Sequence, residues 1–185
     1  MRQVLISAFS ITVAALTASL PARADAPSIT GRWQSAAPEA QGQIFVTREF
    51  KIEPATWSVA FRAYGDASAK APLFTLNVGG VYVLGGSSSA VAGAREGIFP
   101  ATYRRITAES EAGVQMFAAM GCALKVRVVK PLTSEPCGFV PSLMQAMGEY
   151  DLVAVKSGQL FFGDRSGDLT KARPTALYAF PLIKR

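Results

Sequence analysis

Gln43-Ile44-Phe45-Val46-Thr47-Arg48-Glu49-Phe50-Lys51-Ile52-Glu53 is the stretch whose reading decides the fold. Side chains alternate sides along an extended chain, so Ile44, Val46, Arg48, Phe50 and Ile52 share one face. Gln43, Phe45, Thr47, Glu49, Lys51 and Glu53 share the other. A mostly apolar face set against a mostly polar one is the pattern of a strand with one side on a core. The next segment repeats it. Trp57, Val59, Phe61 and Ala63 alternate with Ser58, Ala60, Arg62 and Tyr64.

Outward from this pair, Leu73 to Val78 and Val81 to Leu84 read as strands. They meet at Gly79-Gly80, either in a tight hairpin turn or as one long strand with a bulge. Tyr103–Thr107, Val114–Phe117 and Leu124–Val129 are further strand candidates, and Glu149–Phe162 reads as a hairpin turning at Lys156-Ser157-Gly158-Gln159. Thr175–Leu182 is expected to close the sheet. The single helix candidate is Pro141–Met147, with Pro141 suited to a first turn and Gly148 to a stop. Asp164–Pro174 reads as a polar loop, and Gly85-Gly86-Ser87-Ser88-Ser89 with Ala90–Ala94 as a loop or edge segment. About eight to ten short strands with barely one helix predict an all-β fold. The expected form is an antiparallel barrel or half-barrel-like sheet of lipocalin-like size, with at most one short helix.

The N-terminus carries a different signal. Arg2 is followed by the uncharged, apolar or small run Val4–Leu20, then Pro21 and the small-x-small triplet Ala22-Arg23-Ala24. Residues 1–24 therefore read as a cleavable secretory signal, cut after Ala24, with 25–185 forming one β-barrel-like ligand-binding domain. A membrane span needs about 20 strongly apolar residues. This run is short, rich in Ala, Ser and Thr, and ends in Pro, and no later stretch qualifies. No Cys stands at the cleavage point, so a lipoprotein anchor is not expected. The expected location is periplasmic or secreted, without stable membrane insertion. In such an oxidising compartment Cys122 and Cys137 form a disulfide by default, two free thiols being the alternative.

The formal net charge is +6. Its basic residues are scattered, and Arg104-Arg105 is the only adjacent basic pair before Lys184-Arg185. That is not the clustered footprint of a nucleic-acid binder. There is no histidine, which removes Ser-His-Asp and Cys-His catalysis and the commonest metal ligand. Gly85-Gly86-Ser87-Ser88-Ser89 is not followed by the Gly-Lys-Ser/Thr of a phosphate loop. The only asparagine, Asn77, lies in no glycosylation acceptor. Carboxylate pairs exist: Glu149 and Asp151 share a strand face, and Asp164 and Asp168 share a loop. Pairs of this kind are common, so no catalytic residue, metal or cofactor is expected.

What remains is apolar. Trp33, Val46, Phe50, Phe61, Phe74, Leu76, Tyr82 and Phe162 are pocket candidates on successive strands, and they serve equally well as the core of a filled barrel. Arg48 is the odd residue on an apolar face. Either a bulge turns it outward, or it is buried and paired, with Glu39 or Asp66 as scaffold partners. A buried Arg48 could also hold a carboxylate head group.

The order of several motifs resembles a known extracellular domain. These are Gly31-Arg32-Trp33-Gln34-Ser35 with Glu39 and Phe45-Val46-Thr47-Arg48, then Tyr64-Gly65-Asp66 and Pro72-Leu73-Phe74-Thr75-Leu76. Glu149-Tyr150-Asp151-Leu152-Val153, Leu160-Phe161-Phe162-Gly163-Asp164, Arg173-Pro174-Thr175 and Pro181-Leu182 complete the series. Together they are similar to the family called adenomatosis polyposis coli down-regulated, whose animal members inhibit Wnt signalling at the cell surface. The chain resembles a single-domain bacterial relative, with one copy where the animal proteins carry two. It has Pro38 and Ala69 where the family has cysteines, so Cys122 and Cys137 look like a retained pair. The Gly-x-Trp opening alone is also found in lipocalins.

The resemblance implies a β-barrel-like domain whose apolar pocket holds a lipid chain, linked in animals to the acyl group on Wnt. The expected function is an exported soluble binding protein for a lipid or acyl-chain ligand, possessing no enzymatic activity. The alternative is an envelope protein-interaction or structural module with a filled core. Expected partners are an acyl-chain small molecule or a lipidated protein, with an unpaired sheet edge open to homodimerisation.

Overall fold

The computed structural model describes residues 28–185, so the signal assigned to residues 1–24 lies outside the described residues. The described chain is mostly strand. It forms β1 (Gly31–Ser35), β2 (Glu39–Gln41), β3 (Ile44–Ile52), β4 (Thr56–Tyr64), β5 (Pro72–Val81) and β6 (Val83–Ser87). There follow β7 (Arg95–Ile98), β8 (Ala101–Ala108), helix α1 (Glu111–Ala118), β9 (Val129–Pro131), β10 (Tyr150–Lys156), β11 (Gln159–Phe162) and β12 (Leu182–Lys184). All pair antiparallel in one sheet, ordered β6-β7-β10-β11-β12-β1-β3-β4-β5-β8-β9, with β2 also paired to β3. The sheet curls without closing. It is an open half-barrel whose edges are β6 and β9.

The alternation in β3 and β4 holds: Val46, Arg48, Phe50 and Ile52 are buried while Lys51 is exposed. Register then arranges inward side chains in rows across β3, β4, β5 and β8. One row is Val46, Ala63, Phe74 and Ala108; the next is Arg48, Phe61, Leu76 and Ile106. A third is Phe50, Val59, Val78 and Arg104, and a fourth is Ile52, Trp57, Gly80 and Ala101.

Two core clusters cover opposite parts of this concave face. The first gathers the Val46 row under Phe117 of α1, Leu132, Val140 and the Cys122–Cys137 disulfide. The bond is formed, and both cysteines are buried. The second joins Trp33, Phe50, Ile52, Phe99, Val153, Leu160, Phe162 and Leu182. On the other side of β10, Leu152 and Ala154 pack with Ala94 in a smaller cluster, so β10 is buried on both faces.

Several expectations change. Gly79-Gly80 is not a hairpin but a bulge inside β5, where the register against β8 shifts. The reason is contact: a Cβ at Gly80 would stand 2.0 Å from the Pro100 carbonyl oxygen. The expected strand Val81–Leu84 is replaced by β6, which runs through Gly85-Gly86 as an edge strand. Val114–Phe117 is not a strand but part of α1, because Ser110 caps the helix by accepting from the Gly113 N–H. Leu124–Val129 is mostly irregular, since Arg127 takes a positive φ of 57° that interrupts extended chain.

Pro141–Met147 is not a helix. Leu143 and Met144 donate to the Leu132 and Thr133 carbonyls rather than within the segment, and Ser142 and Gln145 exchange bonds across a turn. Thr175–Leu182 is not a continuous strand. Its closing role falls to β12, where Leu182, Ile183 and Lys184 pair with Ser35, Gln34 and Trp33. The hairpin at residues 156–159 and the polar loop 164–174 form as expected.

Helix α1 lies so close to β5 that a Cβ at Gly113 would sit 1.9 Å from the Leu73 carbonyl oxygen. In an open helix interior Gly→Ala stabilises by about 1 kcal/mol. Gly113→Ala is instead expected to destabilise by about 1–3 kcal/mol through overpacking, read from the denaturant midpoint. A gain in stability would place α1 farther from the sheet.

Candidate functional site

Between the two clusters the concave face is not filled. Trp57, Val59, Phe61 and Leu76 lie on inward rows yet are only half-buried. They border a cavity of about 350 Å³. Its apolar wall also includes Phe50, Val78, Phe99 and Phe162; its polar margin is Gln41, Arg48, Arg104, Glu149, Asp151, Arg165 and Tyr178.

Of the residues expected from sequence, Arg48, Phe50, Phe61, Leu76 and Phe162 line this cavity together. Val46 and Phe74 are one row away, fully buried beneath Phe117. Trp33 packs in the second cluster and donates its indole N–H to the Ile29 carbonyl at 2.7 Å. Tyr82 stacks on Phe99 at 5.6 Å and donates its hydroxyl to the Glu53 carbonyl. Trp57 and Val59, read from sequence on the same apolar face as Phe61, were not named among the pocket candidates, yet they line the cavity. Arg104 was not named either, although alternation puts it with Ile106 on β8, just as it singles out Arg48 on β3.

Arg48 is buried and committed. Its Nε donates to both Glu39 carboxylate oxygens at 3.1 Å, and Nη2 donates to Glu39 Oε1 at 2.9 Å and to the Phe180 carbonyl at 2.6 Å. Its guanidinium lies 4.8 Å from the Tyr178 ring centre. Of the two partners considered, Glu39 is the one used. Asp66 instead accepts from the Ser68, Lys70 and Ala71 N–H groups of its own turn. The Arg48–Glu39 pair thereby ties β2 and β3 to the chain just ahead of β12.

A second charged group lies at the other margin. Arg104 Nη2 donates to Glu149 Oε1 at 3.2 Å, and Arg165 pairs with Glu149 Oε2 and, at 3.3 Å, with Asp151 Oδ2. Glu149 and Asp151 do share the cavity side, but Arg165 bridges them. Asp151 Oδ1 accepts from the Leu152 and Gly163 N–H groups at 2.7 Å each. Gly163 permits this approach, since a Cβ there would be 2.7 Å from that oxygen. Burial raises the Asp151 carboxyl from 3.8 to about 6, against the opposing pull of Arg165 and the two N–H groups. Among the described residues no cluster of three or more cysteine, aspartate or glutamate side chains converges as a metal site.

A family model described as Adenomatosis polyposis coli down-regulated 1 matches residues 12–132. The chain belongs to this family. The match takes in β1 to β9, and so the strands that carry Arg48, Phe50, Trp57, Val59, Phe61, Leu76, Val78 and Arg104. Glu149, Asp151, Phe162 and Arg165 lie beyond it.

Two outcomes test this geometry. Glu39→Gln keeps an acceptor but removes the counter-ion of a buried guanidinium, and is expected to cost about 3 kcal/mol or more in denaturant unfolding. A near-neutral result would mean Arg48 is solvated. For Asp151, the folded chain holds a proton that the unfolded chain releases between roughly pH 4 and pH 6. The stability linked to that proton is present below this window and is lost as pH rises through about 6. Relative to Asp151→Asn, the wild type is therefore expected to lose stability across that interval. A difference independent of pH would contradict the raised carboxyl.

Proposed function

We propose that this protein is an exported binding protein that holds a lipid or other acyl chain in the cavity between its two core clusters. The observation that carries this reading is the half-buried set Trp57, Val59, Phe61 and Leu76 around about 350 Å³ of unfilled space. Small-molecule sites have volumes of about 300–1,000 Å³, apolar walls and a few polar groups that fix orientation. Each methylene removed from water contributes roughly 0.8 kcal/mol, so an acyl chain gains affinity from such a wall without specific contacts. Membership of the family supports a binding domain. The filled-core alternative, an envelope interaction module, is disfavoured by the cavity.

Export is supported by the leader-like run of residues 1–24 and by the buried disulfide, which suits an oxidising compartment. Among the described residues no helix is long and apolar enough to cross a membrane. The polar margin is read as positioning the ligand rather than reacting with it. Arg165 holds Glu149 and Asp151 as counter-ions, and no catalytic step is assigned to either. The proposed partner is thus an acyl chain, free or carried on a lipidated protein.

Native mass spectrometry of gently purified protein is expected to show an acyl-chain-sized adduct, or a one-to-one complex after addition of laurate or its methyl ester. Leu76→Trp, which fills the cavity, is expected to weaken that complex at least tenfold while the chain stays folded by circular dichroism. Absence of any saturable acyl-chain complex, or undiminished binding by the filled variant, would overturn the proposal.

A further inference from the structure

The charged groups around the cavity are not equivalent. Arg48 has a bidentate carboxylate and a backbone carbonyl in place. Arg104 does not. Its side chain is 7% exposed, it stands in the same inward row as Phe50, Val59 and Val78, and it lines the cavity. Among the described residues two donated bonds hold its guanidinium: Nη1 to the Pro141 carbonyl at 3.3 Å and Nη2 to Glu149 at 3.2 Å. Nε is buried and has no acceptor among the described residues.

A guanidinium carries five N–H donors, and a buried donor without an acceptor is unfavourable. Here the donor shortage lies on a cation at the edge of an apolar cavity. Glu149 does not depend on Arg104 alone, because Arg165 holds its other oxygen. The Arg104 guanidinium can therefore turn its Nε–Nη2 edge, now buried, toward a second carboxylate and leave Glu149 with a partner. An arginine fork matches two carboxylate oxygens in a plane, which a neutral ester cannot reproduce.

We propose that Arg104 recognises a free carboxylate, so that the ligand class of the cavity is a fatty-acid-like amphiphile rather than an ester or a neutral acyl chain. This inference rests on the acyl-chain reading of the cavity and narrows it. The apolar tail lies against Phe61 and Leu76, and the head group completes the coordination of Arg104. It also moves the head-group role from Arg48, which Glu39 already occupies, to a residue on β8.

Titration of the purified full chain with laurate and with methyl laurate, followed by native mass spectrometry or by Trp57-sensitive fluorescence, decides it. The wild type is expected to prefer the acid by about tenfold or more, the span of a charge-assisted hydrogen bond. Arg104→Met is expected to bring the acid-to-ester ratio close to one, whereas Arg104→Lys, which keeps the charge but not the fork, retains part of it. Equal binding of acid and ester by the wild type would overturn this inference and leave the acyl-chain reading standing. So would a preference that survives in Arg104→Met. Binding of neither ligand would overturn both. If Arg104→Met fails to fold, the wild-type comparison decides alone.

Discussion

Because the curled sheet ends in two edges, β6 and β9, that do not pair with each other, its concave face is covered only by what the chain lays across it. A closed barrel of the same strands would fill its interior with its own side chains or leave a cavity set by strand number. This open one uses two separate plugs. Helix α1 and the Cys122–Cys137 segment cover the Val46 row, while Phe99, Val153, Leu160 and Phe162 cover the Phe50 and Ile52 side. The unfilled space lies between them, bordered by the rows of Arg48 and Phe50, by Trp57 and by Phe99 and Phe162 of the second. Register places the cavity, and the plugs bound it.

The polar groups follow from the same constraint. Strands far apart in the sheet order meet across the concavity, and charged side chains span the gaps. Arg104 on β8 reaches Glu149 ahead of β10, far along the sheet order, whereas Arg48 on β3 reaches the Phe180 carbonyl ahead of β12, across β1 alone. Both arginines lie in otherwise apolar rows, but their states differ. Arg48 is a saturated scaffold ion, bidentate to Glu39. Arg104 is under-coordinated, and Asp151 nearby resists ionisation because it is buried. One margin of the cavity is thus structurally closed, and the other has donor capacity to spare.

Period-two alternation made β3, β4, β8 and the β10–β11 hairpin legible in the sequence, because one face of each meets a core. The same alternation isolated Arg48 and, applied to β8, isolates Arg104 as well. It failed where local chemistry overrides it. Val114, Met116 and Phe117 look like strand, but the Ser110 cap sets a helix there. Pro141–Met147 looks like helix, but its Leu143 and Met144 N–H groups are taken by the Leu132 and Thr133 carbonyls, a pairing with no sequence signature. The division of aromatic residues between wall and core was not legible either. Phe74 and Phe61 sit in neighbouring rows of similar character, and only the position of α1 over one row decides which of them faces open space.

The central claim is that the space bounded by Phe50, Phe61, Leu76 and Phe162 is a ligand site. A crystal structure of the full chain grown with 12-bromododecanoate tests it most directly, since the bromine marks the tail in anomalous maps. The account predicts one strong peak within that wall, with the carboxylate at Arg104. A peak confined to the outer surface, or side chains collapsed into the cavity with no peak inside it, would contradict the account.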